Sequence, residues 1–271
     1  MQDSHSRQTT IRLGTHGENY GNWMSNPVFY MVGGLLALAV ALAVLSFTVF
    51  HLTMLGVIFI IAAIILLVLL CWITWIRRQY AFGGGGMMER VHHTVLSHLD
   101  YNGNGRLLDV GCGSGALTIR AALMWPEARV TGIDYWGAAY GYGQAMCEKN
   151  AASEGVGSRC TFQHGDANRL DFPDESFDAV VSNYVYHNIT GADKNELLLE
   201  TLRVLKNGGV FALNDEMKPR MYGDMEAFAQ KLRDMGYQDV RLIDTAKEAF
   251  DSHRRAAIMM LGDSMLLVGR K

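Results

Sequence analysis

Between Glu18 and Arg77 the chain carries no Asp, Glu, Lys or Arg for 58 consecutive residues. Within that run, Val28 to Ile76 is almost wholly apolar over 49 positions. A helix needs roughly 20 apolar residues to cross a bilayer, so this run is too long for one span and suits two. The expected division is 28–48 and 55–76, with the turn near Ser46 to Met54. Each Leu, Ile, Val or Phe favours insertion by roughly 0.3–0.6 kcal/mol, and no central charge opposes it. A cleaved signal peptide would have an apolar region of about 7–15 residues, much closer to Met1. A hairpin buried in a soluble core would carry a polar face. Gly33, Ala37 and Ala41 share one helical face, on which two spans could approach closely.

The flanks set the expected orientation. Arg7 and Arg12 precede the first span and Arg77 and Arg78 follow the second, whereas the turn has only His51. The positive-inside rule then places both termini and everything after the hairpin in the cytoplasm. Trp23, Tyr30, Trp72, Trp75 and Tyr80 stand near the expected edges, as interfacial aromatics do. The expected layout is a cytoplasmic tail over 1–27, two transmembrane helices within 28–76, a Gly-rich hinge over 77–86 and one domain over 87–271.

The mean hydropathy of +0.07 therefore averages two unlike parts. From residue 77 onward, 47 of 195 residues are charged, about 24%, close to the roughly 25% of ordinary globular domains. The net charge of −3 and the lack of any Lys/Arg run argue against a nucleic-acid partner. The four cysteines, Cys71, Cys112, Cys147 and Cys160, form no Cys-x-x-Cys pair. The nine histidines show no ligand spacing, so no metal is expected.

Gly83 to Gly86 break the helix and read as a hinge, or as a loop that closes over a ligand. Beyond them, strands alternate with helices. Strands are expected at 106–110, 129–133, 160–164, 177–182, 210–214, 240–244 and 265–270. Helices are expected at 87–99, 116–124, 142–154, 192–205 and 224–235, with Asn207-Gly208-Gly209 stopping the fourth. Such alternation predicts an α/β fold: a mainly parallel sheet with helices on both faces and ligands beyond the strands' carboxyl ends.

The chemistry concentrates in Leu107-Leu108-Asp109-Val110-Gly111-Cys112-Gly113-Ser114-Gly115. The glycines let the backbone turn tightly against a ligand, and the next helix points its amides at the same place. Alone they also fit a dinucleotide fingerprint. The acids discriminate. A carboxylate at Asp109 would repel a pyrophosphate but welcome a cationic ligand with an amino group. Asp134, 25 positions further on at the end of the second strand, suits a ribose diol. Asp166 could receive an adenine amino group.

With these residues, the region from about Met87 to Lys271 is similar to the class I S-adenosylmethionine-dependent methyltransferases. Leu107–Gly115 resembles that family's first motif, Gly132-Ile133-Asp134 its acidic second-strand end, and Gly165-Asp166-Ala167 its adenine-side motif. Phe177–Asn183 resembles the fourth-strand motif. Arg203–Gly209 resembles the turn before strand five, with Asn207 where Pro is usual. The resemblance implies a Rossmann-like seven-stranded sheet whose last strand is antiparallel. It implies S-adenosyl-L-methionine as cofactor, with Gly111, Gly113 and Gly115 at its methionine part and Asp109 near its amino group. Asp134 would hold the ribose, and Asp166 and Ala167 would contact the adenine. Asn183 and Tyr184 would line the methyl-donor side, and Cys112 and Tyr135 complete the expected cofactor set.

Methyl transfer from a sulfonium needs mainly alignment, and a base only where the acceptor must lose a proton. His187, just past the fourth strand, is the base candidate and Tyr184 the other catalytic candidate, the alternative for His187 being a loop histidine with a structural bond. Tyr184 and Tyr186 alternate with Val185, which predicts one shared face walling a pocket. Asp215 and Glu216 read as solvated loop carboxylates, with orientation of an acceptor amine or metal binding as alternatives. Neither the Asp/Asn-Pro-Pro-aromatic box of adenine methylation nor a Pro-Cys pair occurs. A small-molecule or lipid-soluble acceptor is therefore expected. The competing expectations are a membrane-tethered cofactor-binding scaffold and aminopropyl transfer on the same fold.

Overall fold

The computed structural model describes residues 13–15, 17–22, 26–82, 86–137 and 143–271. They divide into two compact units: one holds the described residues up to Gly21 together with Met87–Lys271, the other runs from Asn22 to Gly86. Gly83–Gly85 of the expected hinge lie outside the described residues, as do Arg7, Arg12 and Trp23.

The smaller unit is a helical hairpin, α1 (Asn26–Thr48) and α2 (Thr53–Tyr80). At 1.5 Å per residue their 23 and 28 residues give lengths of about 34 and 42 Å, enough for a hydrocarbon core of roughly 30 Å. Length and apolar composition thus allow each to cross a membrane. The one side of α1 that is buried is Val32, Ala39, Ala43 and Ser46, not the face of Gly33, Ala37 and Ala41. A Cβ added at Gly33 would meet nothing within 4 Å, so its smallness serves no contact here. The close approach instead lies near the turn, where a Cβ on Gly56 would come within 2.6 Å of the Phe47 ring. Hydroxyls within the hairpin are satisfied locally: Ser46 Oγ donates to the Leu42 carbonyl at 2.7 Å and Thr74 Oγ1 to that of Leu70 at 2.7 Å. At the open end, Arg77 reaches Asn26 Oδ1 at 2.6 Å and lies 5.5 Å above the Phe29 ring.

The larger unit is a seven-stranded sheet with helices against it. In chain order its elements are α3 (Met87–Ser97), β1 (Gly105–Val110), α4 (Ala116–Met124), β2 (Ala128–Asp134), α5 (Gln144–Ser153), β3 (Cys160–His164) and β4 (Phe177–Asn183). They continue with α6 (Lys194–Arg203), β5 (Leu205–Glu216), α7 (Pro219–Tyr222), α8 (Met225–Asp234), β6 (Gln238–Asp244), α9 (Thr245–Phe250), α10 (His253–Ile258) and β7 (Ser264–Arg270). The sheet order is β3-β2-β1-β4-β5-β7-β6, parallel except for β7, which runs antiparallel to both neighbours. The expected α/β architecture is thus present, antiparallel last strand included. The order reverses direction at β1, between β2 and β4, which opens a crevice beyond the carboxyl ends of these strands.

The strands are buried because both faces are covered: Leu107, Leu108, Val110, Val180 and Phe211 are each 1% exposed or less. Asp193 and Asp224 cap α6 and α8 by accepting two backbone N–H bonds each. Asn207-Gly208-Gly209 does not stop α6. That helix ends at Arg203, and β5 runs through the glycines with an irregular register between Phe177 and Ala179. Gly208, at φ +79°, turns its N–H to the Lys271 carbonyl at 2.7 Å, tying this kink to the chain's last residue.

Candidate active site

The glycine loop is folded by its own backbone. The N–H groups of Gly111 and Cys112 both donate to the Ile133 carbonyl, at 2.8 and 2.9 Å. Gly111, Gly113 and Gly115 all have positive φ, +75°, +56° and +83°. A Cβ on Gly111 would in addition overlap the Val185 side chain. Gly115 precedes α4, so the helix's first amides face the same space.

Asp134 ends β2 with both oxygens engaged by main chain: Gly113 N–H donates to Oδ2 at 2.8 Å and Trp136 N–H to Oδ1 at 2.7 Å. These bonds fix the carboxylate plane and leave acceptor capacity on each oxygen. Trp136 closes the arrangement, its indole N–H donating to the Gly113 carbonyl at 2.8 Å. The sequence offered only one sign of this residue, its place two positions after the acid. Tyr135 is 65% exposed and lies 5.1 Å, ring to ring, from His164 at the end of β3.

Asp109 sits behind the loop, only 1% exposed, and accepts a 2.6 Å bond from Thr118 Oγ1. Burial pushes its carboxyl up to about 7, the Thr118 hydroxyl opposing and nearby Asp134 adding to the rise. Asp166 is exposed and holds a turn, Oδ1 accepting from both the N–H and the side-chain amide of Asn168. Ala167 belongs to the core. Cys112 is buried, and burial raises its thiol well above the usual range. Asn183 Oδ1 accepts from Asn214 Nδ2 at 2.8 Å, and Asn214 in turn accepts from Thr245 Oγ1.

Beyond β4 the structure departs from the expected alternation. Tyr184 has φ +57°, which ends the strand, and Tyr186–Asn188 form a single 3₁₀ turn. The two tyrosines therefore do not share a face. The Tyr184 hydroxyl pairs with Ser264 Oγ of β7 at 2.8 Å, and that of Tyr186 with Thr201 Oγ1 of α6 at 2.9 Å. Both are buried and neither forms an open pocket wall.

The same turn brings His187 against Asp215. Nδ1 lies 2.5 Å from Asp215 Oδ1, and the His187 backbone N–H donates to Oδ2 at 3.2 Å. Asp215 and Glu216 are not solvated loop residues. They are the last two residues of β5 and are 0% and 4% exposed. The Glu216 N–H donates to Asp215 Oδ1 at 2.7 Å. A carboxylate that receives Nδ1–H fixes the neutral imidazole tautomer with its lone pair on Nε2. The His187 side chain is 28% exposed, so the dyad is sheltered on the aspartate side and open on the imidazole side. Burial and the Asp215 carboxylate push the nearby Tyr222 hydroxyl upward, and burial pushes up the Glu216 carboxyl. No group of three or more His, Cys, Asp or Glu among the described residues could hold a metal ion.

Residues 108–213 match the family described as methyltransferase domain. The chain is 30% identical over 171 residues to a 27-O-demethylrifamycin SV methyltransferase of Amycolatopsis mediterranei, covering 62% of this chain and 58% of that one. It is 31% identical over 138 residues to a demethylmenaquinone methyltransferase of Symbiobacterium thermophilum, covering 49% and 51%. The chain thus spans about half the length of the curated relatives it matches. Among solved structures, a geranyl diphosphate methyltransferase in complex with S-adenosylmethionine superposes with TM-score 0.52 at 15% identity, over 71% of this chain and 93% of that one. The [4+2]-cyclase SpnF superposes with TM-score 0.53 at 22% identity, over 67% and 80%.

The sheet order, the glycine loop and these matches support a class I S-adenosylmethionine-dependent methyltransferase domain in the larger unit. Within it, the chain is similar to methyltransferases of small molecules, and the family's cofactor is S-adenosyl-L-methionine.

Proposed function

We propose that this chain is a membrane-anchored methyltransferase that moves a methyl group from S-adenosylmethionine to a small, lipid-soluble acceptor, with His187 removing the acceptor's proton. The observation that carries this reading is the 2.5 Å contact between His187 Nδ1 and the fully buried Asp215, at the sheet edge that also bears the glycine loop. When bound, the cofactor supplies an activated methyl on a sulfonium. The glycine loop and the start of α4 would receive its methionine part, with Asp109 countering its positive charge. Asp134 would hold the ribose, and Tyr135, Asp166 and Ala167 would border the adenine. Asn183 would line the methyl-donor side. Tyr184, 6.5 Å ring to ring from His187, would position that imidazole. His187 Nε2 would accept the acceptor's proton as its nucleophilic atom gains the methyl, and Asp215 would stabilise the imidazolium that results.

The quinone and rifamycin relatives support a ring-bearing, poorly polar acceptor, and the apolar hairpin supports one drawn from a bilayer. In this reading α1 and α2 span the membrane, with Arg77 and Arg78 and the catalytic unit in the cytoplasm. A Leu52→Cys variant should then react with an impermeant maleimide only from the opposite side.

The activity is tested with the full chain in detergent, isotopically labelled methyl donor and a membrane lipid extract. Transfer of label to an extractable compound, lost in His187→Gln, supports the proposal. Cofactor binding with no transfer to any extract would instead favour a tethered binding protein.

A further inference from the structure

The Asn150 side chain fastens the segment before the hairpin to the back of the glycine loop. Asn150, on α5, is 1% exposed. Its Oδ1 accepts the Asn19 N–H at 3.1 Å, and its Nδ2 donates to the Asn19 carbonyl at 3.0 Å. The amide thus pairs with the main chain of Asn19 as a neighbouring strand would. The same Nδ2 donates to the carbonyl of Ser114 at 3.1 Å. Ser114 stands between Gly113 and Gly115, so a single amide group joins the N-terminal segment to the cofactor loop.

The attachment is built rather than incidental. Leu13 and Tyr20 are 1% and 4% exposed. The Tyr20 hydroxyl donates to Glu154 Oε1 at 3.2 Å, and the Gly14 N–H reaches the same oxygen at 3.2 Å. The described residues up to Gly21 belong to the catalytic unit although the hairpin separates them from it in sequence. The hairpin is therefore an insertion: both of its ends lead into the unit that carries the cofactor loop.

We infer that Asn150 is a positioning residue for the cofactor loop and that residues 13–15 and 17–21 are a working part of the cofactor site, acting through it. Held on the Asn19 side, the Asn150 amide presents Nδ2 to Ser114 in one orientation and fixes the loop's carbonyls away from the ligand. Releasing the segment frees that amide, and the loop loses its brace. Cofactor affinity and attachment of the segment are then reciprocally coupled, as linkage requires. This inference rests on the proposed binding of S-adenosylmethionine at Gly111–Gly115.

The test uses the full chain in detergent with S-adenosylhomocysteine as probe. Calorimetry on Asn150→Ala and on Tyr20→Ala should show Kd raised roughly two- to tenfold in each, the range that loss of one hydrogen bond produces. The double variant should be no weaker than Asn150→Ala alone, because both changes break one connection. Hydrogen exchange at the Asn19 amide should slow on adding the probe, and Asn150→Ala should abolish that slowing. A lower melting temperature with unchanged Kd in both variants would overturn the inference, leaving the segment as packing only. Full additivity, or Asn19 exchange indifferent to the probe, would overturn it too. Failure of the unaltered chain to bind the probe would instead refute the cofactor site itself.

Discussion

Asp109 offers the sharpest test of the cofactor site, because its burial and its proposed role pull in opposite directions. The carboxyl is 1% exposed and pushed up to about 7 from 3.8, chiefly by desolvation. About three pKa units correspond to roughly 4 kcal/mol against the ionised form in the folded chain. Since the folded value is raised, the contribution of the neutral carboxyl to stability is complete below about pH 4. It is lost as pH rises to about 7. A cationic cofactor reverses this preference, since it favours the ionised acid. Binding below pH 7 must then expel a proton, and the apparent Kd should rise about tenfold per pH unit. Affinity at pH 5.5 should be roughly 30-fold weaker than at pH 8. Calorimetry in two buffers of different ionisation enthalpy counts the released proton directly. Asp109→Asn should abolish the difference between the buffers, bind the cofactor less tightly at pH 8, and melt higher than the unaltered chain at pH 8 without ligand. Comparing the two proteins removes any titration of the ligand itself. Proton release equal in both, with equal affinity at pH 8, would refute the assignment of Asp109 to the cofactor's charge.

Three further outcomes are expected. Asp215→Asn should preserve cofactor Kd but lower the single-turnover rate on a proton-bearing acceptor by roughly 10²–10⁴, because the imidazole loses both its orientation and its counter-charge. Gly111→Ala should weaken cofactor binding by more than tenfold in calorimetry, since φ +75° strains any Cβ and Val185 occupies its place; adding Val185→Ala should recover part of the loss. Tyr184→Phe removes one hydroxyl from the buried Tyr184–Ser264–Glu216 chain, whose second link is 2.9 Å. It should cost about 1 kcal/mol in urea unfolding yet slow turnover less than Tyr184→Ala, which also removes the ring beside His187.

The fold was legible because its signals are local and repeated. Every expected strand is present within a few residues, since short apolar runs between turn residues are read one at a time. The glycine loop and Asp134 were legible because close backbone approach and a strand-end acid leave fixed spacings. What escaped the sequence depends on non-local burial. Nothing near Asp215 distinguishes it from a surface acid; only the length of β5, which carries it beneath the 3₁₀ turn, makes it a buried partner for His187. The alternation of Tyr184 and Tyr186 misled for a related reason: one residue at φ +57° ends the pleat and sends the next side chain elsewhere. The hairpin seam was misplaced because Gly and Ala recur throughout α1, and small size marks a contact only where a neighbour is present. The link from Asn19 to Asn150 spans 131 positions and leaves no trace in any local pattern.

The fold alone does not assign the reaction, since both a geranyl diphosphate methyltransferase and a [4+2]-cyclase share it. What discriminates is the acceptor side. The proposed reaction gives a use to an imidazole held in one tautomer by a buried acid, which a tethered binding protein would not require. In the proposed reaction the arrangement would stabilise an imidazolium that exists only while a proton is in transit. An acceptor with no proton to lose, such as a tertiary amine, would not need it. On the proposed reading the dyad would favour a hydroxyl oxygen, or an acidic carbon beside one, as the atom methylated. Offering the enzyme a matched pair of acceptors, a phenol and a tertiary amine of equal hydrophobicity, separates these cases. Turnover of the phenol alone, lost in His187→Gln, fits the dyad's chemistry; equal turnover of the amine, retained in that variant, would show that His187 and Asp215 serve the fold and not the reaction.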